Sequence, residues 1–216
     1  MARGILILGE SGSGKTTSCR NLNPEETYYC DLDGKGLAWP GWKRQYCAEK
    51  KNYTKIAEAD KLMALMKGIS EKRPDIKVIV LDTLNAIMLN MEMLQRKNNS
   101  YSQWMDLAVN IYGLLEMIGS LRDDLTVICI AHSQTEMMDN GYQFTHMKTS
   151  GRKLEKIVPE SKFTTVLLAK GNDGKYCFET RAKNSTAKTP MGLYEEDEIE
   201  NDIVPVIEKL KAFEEG

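Results

Sequence analysis

The feature that most constrains this chain is Gly9-Glu10-Ser11-Gly12-Ser13-Gly14-Lys15-Thr16, a complete G-x-x-x-x-G-K-[ST] match directly behind the run Ile5-Leu6-Ile7-Leu8. A short, unbroken apolar run reads as a strand buried on both faces, so the sheet that holds it must be covered on both sides. Glycines let the following turn adopt positive φ and point its N–H groups inward, which makes an anion nest at the positive end of a helix. That helix is expected from about Lys15 to Asn21, ending ahead of Pro24.

The rest of the chain repeats the pattern. Thr27 to Leu32 is β-rich and ends in the turn signal Asp31-Leu32-Asp33-Gly34. Lys35 to Tyr53 is irregular around Trp39-Pro40-Gly41-Trp42, and Glu58 to Ile69 reads as a helix. Lys77 to Leu81 is a second buried strand, closed by Asp82. A helix from Asn85 to about Arg96 follows. Ser100 and Gln103 match a capping box for the next, with Trp104, Ala108, Ile111, Leu115 and Ile118 as its apolar stripe. Leu125 to Ala131 is a third buried strand. Phe163 to Ala169 and Lys175 to Arg181 read as a hairpin through Gly171-Asn172-Asp173-Gly174. A last helix begins near Asn201, with Ile203, Val206, Ile207, Leu210 and Phe213 on one face. The fold class is therefore α/β: a mostly parallel sheet flanked by helices, with a C-terminal antiparallel hairpin and a terminal helix. A core over 1–181 and an acidic linker with C-terminal helix over 182–216, packed on the core or on a neighbouring subunit, are the expected organisation.

Composition narrows the function classes. Apolar runs are strand-sized, which predicts no membrane span, and Met1-Ala2-Arg3-Gly4 carries no signal-peptide pattern. Five scattered cysteines form no CxxC pair, which argues against a zinc ribbon or disulfide framework and fits a reducing cytoplasm. Charge is polarised: Gln143 to Lys188 holds ten Lys/Arg against four acids, and Tyr194 to Gly216 nine acids against two bases. The basic segment suits an anionic partner or simply a solvated surface.

The loop predicts a nucleotide held by Gly9, Glu10, Ser11, Gly12, Ser13, Gly14, Lys15, Thr16 and Thr17. Lys15 would reach the β- and γ-phosphates and the Thr16 hydroxyl would bind Mg²⁺. Such a loop needs an acid at the end of a buried strand to hold the metal from the far side, and Asp82 after Val78-Ile79-Val80-Leu81 has that place. The next residue is Thr83, not Glu, so a water-positioning acid must come from Asp31 or Asp33, unless these only close an Asp-Gly turn. Guanine specificity is disfavoured because no N-K-x-D motif is present.

The order of P-loop, acid-ended strand, metal-binding strand without a following Glu, and a strand ending in polar His132 resembles the RecA-type P-loop NTPase core, from Gly4 to about Arg181. Arg20-Asn21-Leu22-Asn23-Pro24-Glu25-Glu26, Leu121-Arg122-Asp123-Asp124-Leu125, Ala131-His132 and Ala187-Lys188-Thr189-Pro190 are similar to the small phage-encoded ATPases of the Sak type, which act in single-strand annealing and recombination. The resemblance implies ATP and Mg²⁺ as cofactors. It puts Asp33 where the catalytic Glu stands and His132 where a γ-phosphate-sensing Gln stands. It also implies a cation from the next subunit, for which Arg181, Lys183 and Lys188 are the candidates. Gln134 to Ser150 occupies the place of a mobile DNA-binding loop. Around it, Tyr142 and Phe144 would stack on unpaired bases while Lys148, Arg152 and Lys153 follow phosphates, unless the stretch is only a polar loop over a basic helix. The implied protein is a cytoplasmic ATPase of phage-infected cells that forms a ring or filament on single-stranded DNA, with a phage single-strand-binding protein as a further partner. The alternatives are a helicase-loader-like binding module or a small-molecule kinase.

Overall fold

The computed structural model describes residues 1–95, 102–137, 139, 141–150 and 152–216; of 94, 95, 102–104, 152, 153 and 155 only the backbone is described. Ser100 and Arg96 lie outside these residues, as does the side chain of Trp104. The elements are β1 (Arg3–Gly9), β2 (Thr27–Asp31), α1 (Trp42–Gln45), β3 (Tyr53–Lys55), α2 (Ala59–Lys72), β4 (Val78–Asp82), α3 (Leu84–Gln95), α4 (Ser102–Ser120), β5 (Thr126–Met137), β6 (Gln143–Met147), α5 (Arg152–Ile157), β7 (Thr165–Asn172), β8 (Lys175–Glu179), β9 (Glu198–Glu200) and α6 (Ile203–Glu215). Among the described residues they build one mixed sheet of nine strands in the order β3-β2-β4-β5-β1-β7-β8-β9, with β6 paired to β5. From β3 to β7 the pairings are parallel, and β7-β8-β9 are antiparallel. This is a P-loop NTPase-like α/β fold.

The central strands show why both sheet faces are covered. Leu6 and Leu8 of β1 join one core with α2, α3 and α4, while Ile5 and Ile7 join another with α6 and the aromatic group Tyr29, Trp39 and Tyr46. β4 and β5 divide in the same way, Ile79, Leu81, Val127 and Cys129 to the first core and Val80, Ile128 and Ile130 to the second. A parallel strand carries helices above and below and is therefore apolar on every residue. Ala108, Ile111, Leu115 and Ile118 of the α4 stripe are buried.

Four expectations change. The helix from Lys15 to Asn21 is only a 3-10 turn at Thr17–Cys19. The Ser18 hydroxyl donates back to the Lys15 carbonyl at 2.6 Å, and Asn23 before Pro24 is biased out of helical backbone, so the turn has no room to propagate. Helix α6 packs against it from the C-terminal end of the chain. The irregular stretch before Tyr53 leads into a missed edge strand, β3, too short for a period-two signal. The supposed mobile loop is largely a β-hairpin: β5 runs on past Ala131 to Met137 and pairs with β6 from Ser133↔Met147 to Met137↔Gln143. Finally, Phe213 is 48% exposed, off the buried face made by Ile203, Val206, Ile207 and Leu210. The β7–β8 turn closes tightly through Asp173 and Gly174, with φ of 48° and 77°.

Candidate functional site

The phosphate loop leaves β1 at Gly9, where a Cβ would sit 2.3 Å from Ser13 Oγ and 2.7 Å from the Ala169 carbonyl, so only glycine fits. Gly12 and Gly14 follow at φ 82° and 89°, which turns the backbone into the nest. The Lys15 ammonium folds over this nest and donates to the carbonyls of Gly9 (2.9 Å) and Glu10 (2.6 Å). It is 6% exposed, and burial brings its pKa down to about 8 against the opposing field of Asp82. A cleft of about 530 Å³ opens beside it, lined by Ser11, Gly12, Gly14, Lys15, Thr16 and Thr17 on the loop side. Glu10 and Ser13 face a smaller pocket of about 270 Å³ behind the loop.

Asp82 ends β4 with 2% exposure. One carboxylate oxygen accepts from Thr16 Oγ1 at 2.7 Å and from the Tyr29 hydroxyl at 2.8 Å; the other, Oδ1, is buried with no hydrogen-bond partner. Burial pushes its pKa up, while the bonds from Thr16 and Tyr29 pull it back. A hard divalent cation takes oxygen ligands, and a hydroxyl beside a carboxylate with one uncommitted oxygen fits Mg²⁺. Thr16 and Asp82 would hold it.

The two candidate acids separate cleanly. Asp31 is buried and spent, accepting from the Gly36 amide at 2.8 Å and the Tyr53 hydroxyl at 2.6 Å. Asp33 lies on the turn beyond it, which is stitched to β4 through Leu32 N to Asp82 O at 2.7 Å. Its carboxylate accepts from Thr83 Oγ1 at 3.1 Å and pairs with Lys35 at 2.5 Å. His132 sits opposite Gly9 in the β1–β5 register and lines the cleft. Burial, then the Lys15 charge, lowers its pKa and favours the neutral imidazole.

Arg181, Lys183 and Lys188 do not line this chain's cleft. Arg181 donates to the Tyr194 carbonyl and pairs with Asp197 at 3.6 Å, Lys183 pairs with the same Asp197 at 3.2 Å, and the Lys188 backbone pairs with Val166. Any part they take in phosphate chemistry would be in another chain's site.

On the hairpin, the rings of Tyr142, Phe144 and His146 form a near-parallel ladder, with centroids 6.5 and 6.1 Å apart and planes inclined by 22° and 20°. Phe144 and His146, two apart on β6, share a face of the strand, and Tyr142 just before it continues the ladder. Lys148 is exposed at the hairpin's base, and α5 begins at Arg152; the side chains of Arg152 and Lys153 lie outside the described residues.

Several residues of the site gave no signal in the sequence. Tyr29 looks like one more strand residue, and only the β2–β4 register brings its hydroxyl to Asp82. Asn85 accepts from the His132 amide at 2.7 Å and donates to the Lys148 carbonyl at 2.8 Å, tying the cleft to the hairpin's base. Arg20, Tyr176, Glu200 and Asn201 complete the far wall of the cleft. Asn201, 5% exposed with Nδ2 unpartnered, is held through its own carbonyl by Arg20 at 2.8 Å.

A family model described as an AAA domain matches residues 1–189. No curated protein matches the chain. Among the described residues, no helix is long and apolar enough to cross a membrane.

Proposed function

This chain belongs to the AAA domain family, and from that premise we propose that it is a Mg²⁺-dependent ATPase of the RecA type that assembles on single-stranded DNA and promotes annealing or recombination in phage DNA metabolism. The observation that carries the ATPase reading is that Lys15, Thr16 and His132 line one cleft, with Asp82 bonded to Thr16 and Asp33 paired to Lys35 on the same cleft's wall. Lys15 takes charge from the β- and γ-phosphates, Thr16 and Asp82 hold the metal, and Asp33 orients the attacking water. His132 donates an imidazole N–H to the γ-phosphate. Thr16 and Asp82 would hold Mg²⁺, which when bound would supply charge neutralisation at the phosphates. The position of β5 between the P-loop strand and the acid strand, ending its central run at His132, supports the RecA-type assignment.

The ring ladder on the hairpin supports the nucleic-acid reading, because aromatic faces stack on unpaired bases without reading sequence. Asn85 gives binding at the hairpin a short mechanical route to His132. The experiment is ATP turnover with and without single-stranded oligonucleotide, paired with fluorescence anisotropy. Phe144→Ala is expected to weaken oligonucleotide binding by about 1–3 kcal/mol. Turnover that ignores DNA while anisotropy shows no binding would refute the assignment. Tight nucleotide binding with negligible turnover would favour the loader-like module instead.

A further inference from the structure

Two cations of the cleft take no part in the scheme above: Arg20, which is spent on the carbonyls of Thr17 (3.2 Å) and Asn201 (2.8 Å), and Lys35. Lys35 lines the cleft together with Lys15 and His132, on the turn that also carries Asp33. It is flanked by Gly34 and Gly36, at φ 68° and 86°, and the turn is held from outside: the Gly36 amide donates to Asp31 at 2.8 Å, and Lys55 Nζ donates to the Gly34 carbonyl at 2.9 Å. The turn therefore does not need Lys35 for its shape. Its side chain is 50% exposed and its pairing with Asp33 is partly solvated, the kind of ion pair that contributes little to stability. Lys35 thus shares the cleft wall with Lys15 and His132 while its ammonium rests against Asp33 at 2.5 Å.

We propose that Lys35 is a catalytic residue of this chain's own site: its ammonium moves from Asp33 to the γ-phosphate of bound ATP and stabilises the charge that develops there. The inference rests on the ATPase reading. In the step, the water oxygen forms a bond to the γ-phosphorus and the bond from phosphorus to the β,γ-bridging oxygen breaks, its electron pair leaving with ADP. The water proton passes to the Asp33 carboxylate that Lys35 has released, and then to solvent as inorganic phosphate departs. The Asp33–Lys35 pair is thus the resting form of an acid and a cation that separate when triphosphate arrives. A cation from a second copy is not required.

The test compares wild type, Lys35→Met and Lys35→Arg, measuring ATP turnover and, by calorimetry with Mg²⁺, affinity for ADP and for a non-hydrolysable ATP analogue. For Lys35→Met, ADP affinity should stay within about twofold, analogue affinity should fall about tenfold or more, and kcat should fall about 10²–10³-fold. Lys35→Arg should recover most of both, and wild-type specific activity should be constant on dilution. If Lys35→Met matches wild type in analogue affinity and kcat, the role of Lys35 is refuted. Equal loss of ADP and analogue binding in both variants refutes it too, since that marks a merely structural lysine. Wild-type protein that binds neither nucleotide overturns the ATPase reading instead.

Discussion

Tyr29→Phe isolates one hydroxyl at the metal-binding aspartate. The ring is fully buried and packs edge-on against Trp39 and Tyr46, with centroids 6.1 and 5.5 Å away, and phenylalanine keeps all of that. What is lost is the 2.8 Å bond to Asp82, whose second oxygen already lacks a partner. A hydrogen bond to a charged group is worth about 1.5–3 kcal/mol, and one to a neutral group about 0.5–1.5. In a chain of this size each kcal/mol moves Tm by about 2–4 °C, so the variant should melt about 3–12 °C lower near pH 8. The sign of the pH dependence follows from Asp82. Its folded pKa is raised, so its carboxylate form is disfavoured by folding, and stability falls as pH rises from the unfolded pKa through the folded one. Losing the Tyr29 bond raises that pKa further and steepens the fall. The deficit of the variant should therefore shrink by about half once pH drops below the folded pKa, where the bond has a neutral acceptor. Thermal melts by circular dichroism, run from about pH 8 down to about pH 4, the ordinary aspartate value, measure both effects. A variant that melts within about 1 °C of wild type at pH 8 would refute the reasoning.

Two further outcomes are expected. Nucleotide affinity should decline as pH rises through about 8, because the Lys15 ammonium titrates there and its neutral form cannot neutralise phosphate; calorimetry in buffers of differing ionisation enthalpy would show proton uptake on the alkaline side. Gly14→Ala should cost more than about 1 kcal/mol, since φ is 89° and the new Cβ lies 3.0 Å from both Tyr176 Cδ1 and Asn201 Oδ1. Differential scanning fluorimetry with and without ATP should show a lower Tm and a smaller nucleotide-induced shift.

Groups adjacent in sequence were legible before any fold was known. The phosphate loop is contiguous, and its glycines, lysine and threonine carry their chemistry in their spacing. Asp82 was legible because the phosphate loop calls for an acid at the end of a buried strand, and Val78-Ile79-Val80-Leu81 ends in one. The short turn after the loop was misjudged because helix propensity over so few residues yields to a side-chain bond and a proline. The hairpin at 133–147 was misjudged because its two strands alternate polar residues and cross a glycine turn, a pattern shared with solvated loops.

By itself the sequence determined the strand cores, since unbroken apolar runs leave no choice but burial on both faces, and the anion nest, since that depends only on local backbone freedom. The tertiary structure alone decided which acid is buried under Tyr53 and the Gly36 amide and which pairs with Lys35 of the cleft wall, which tyrosine braces Asp82, and that a C-terminal asparagine walls a cleft made near the N-terminus. Those are facts of strand order and register. Register is set by the summed packing of the whole sheet, and no short stretch of chain encodes it.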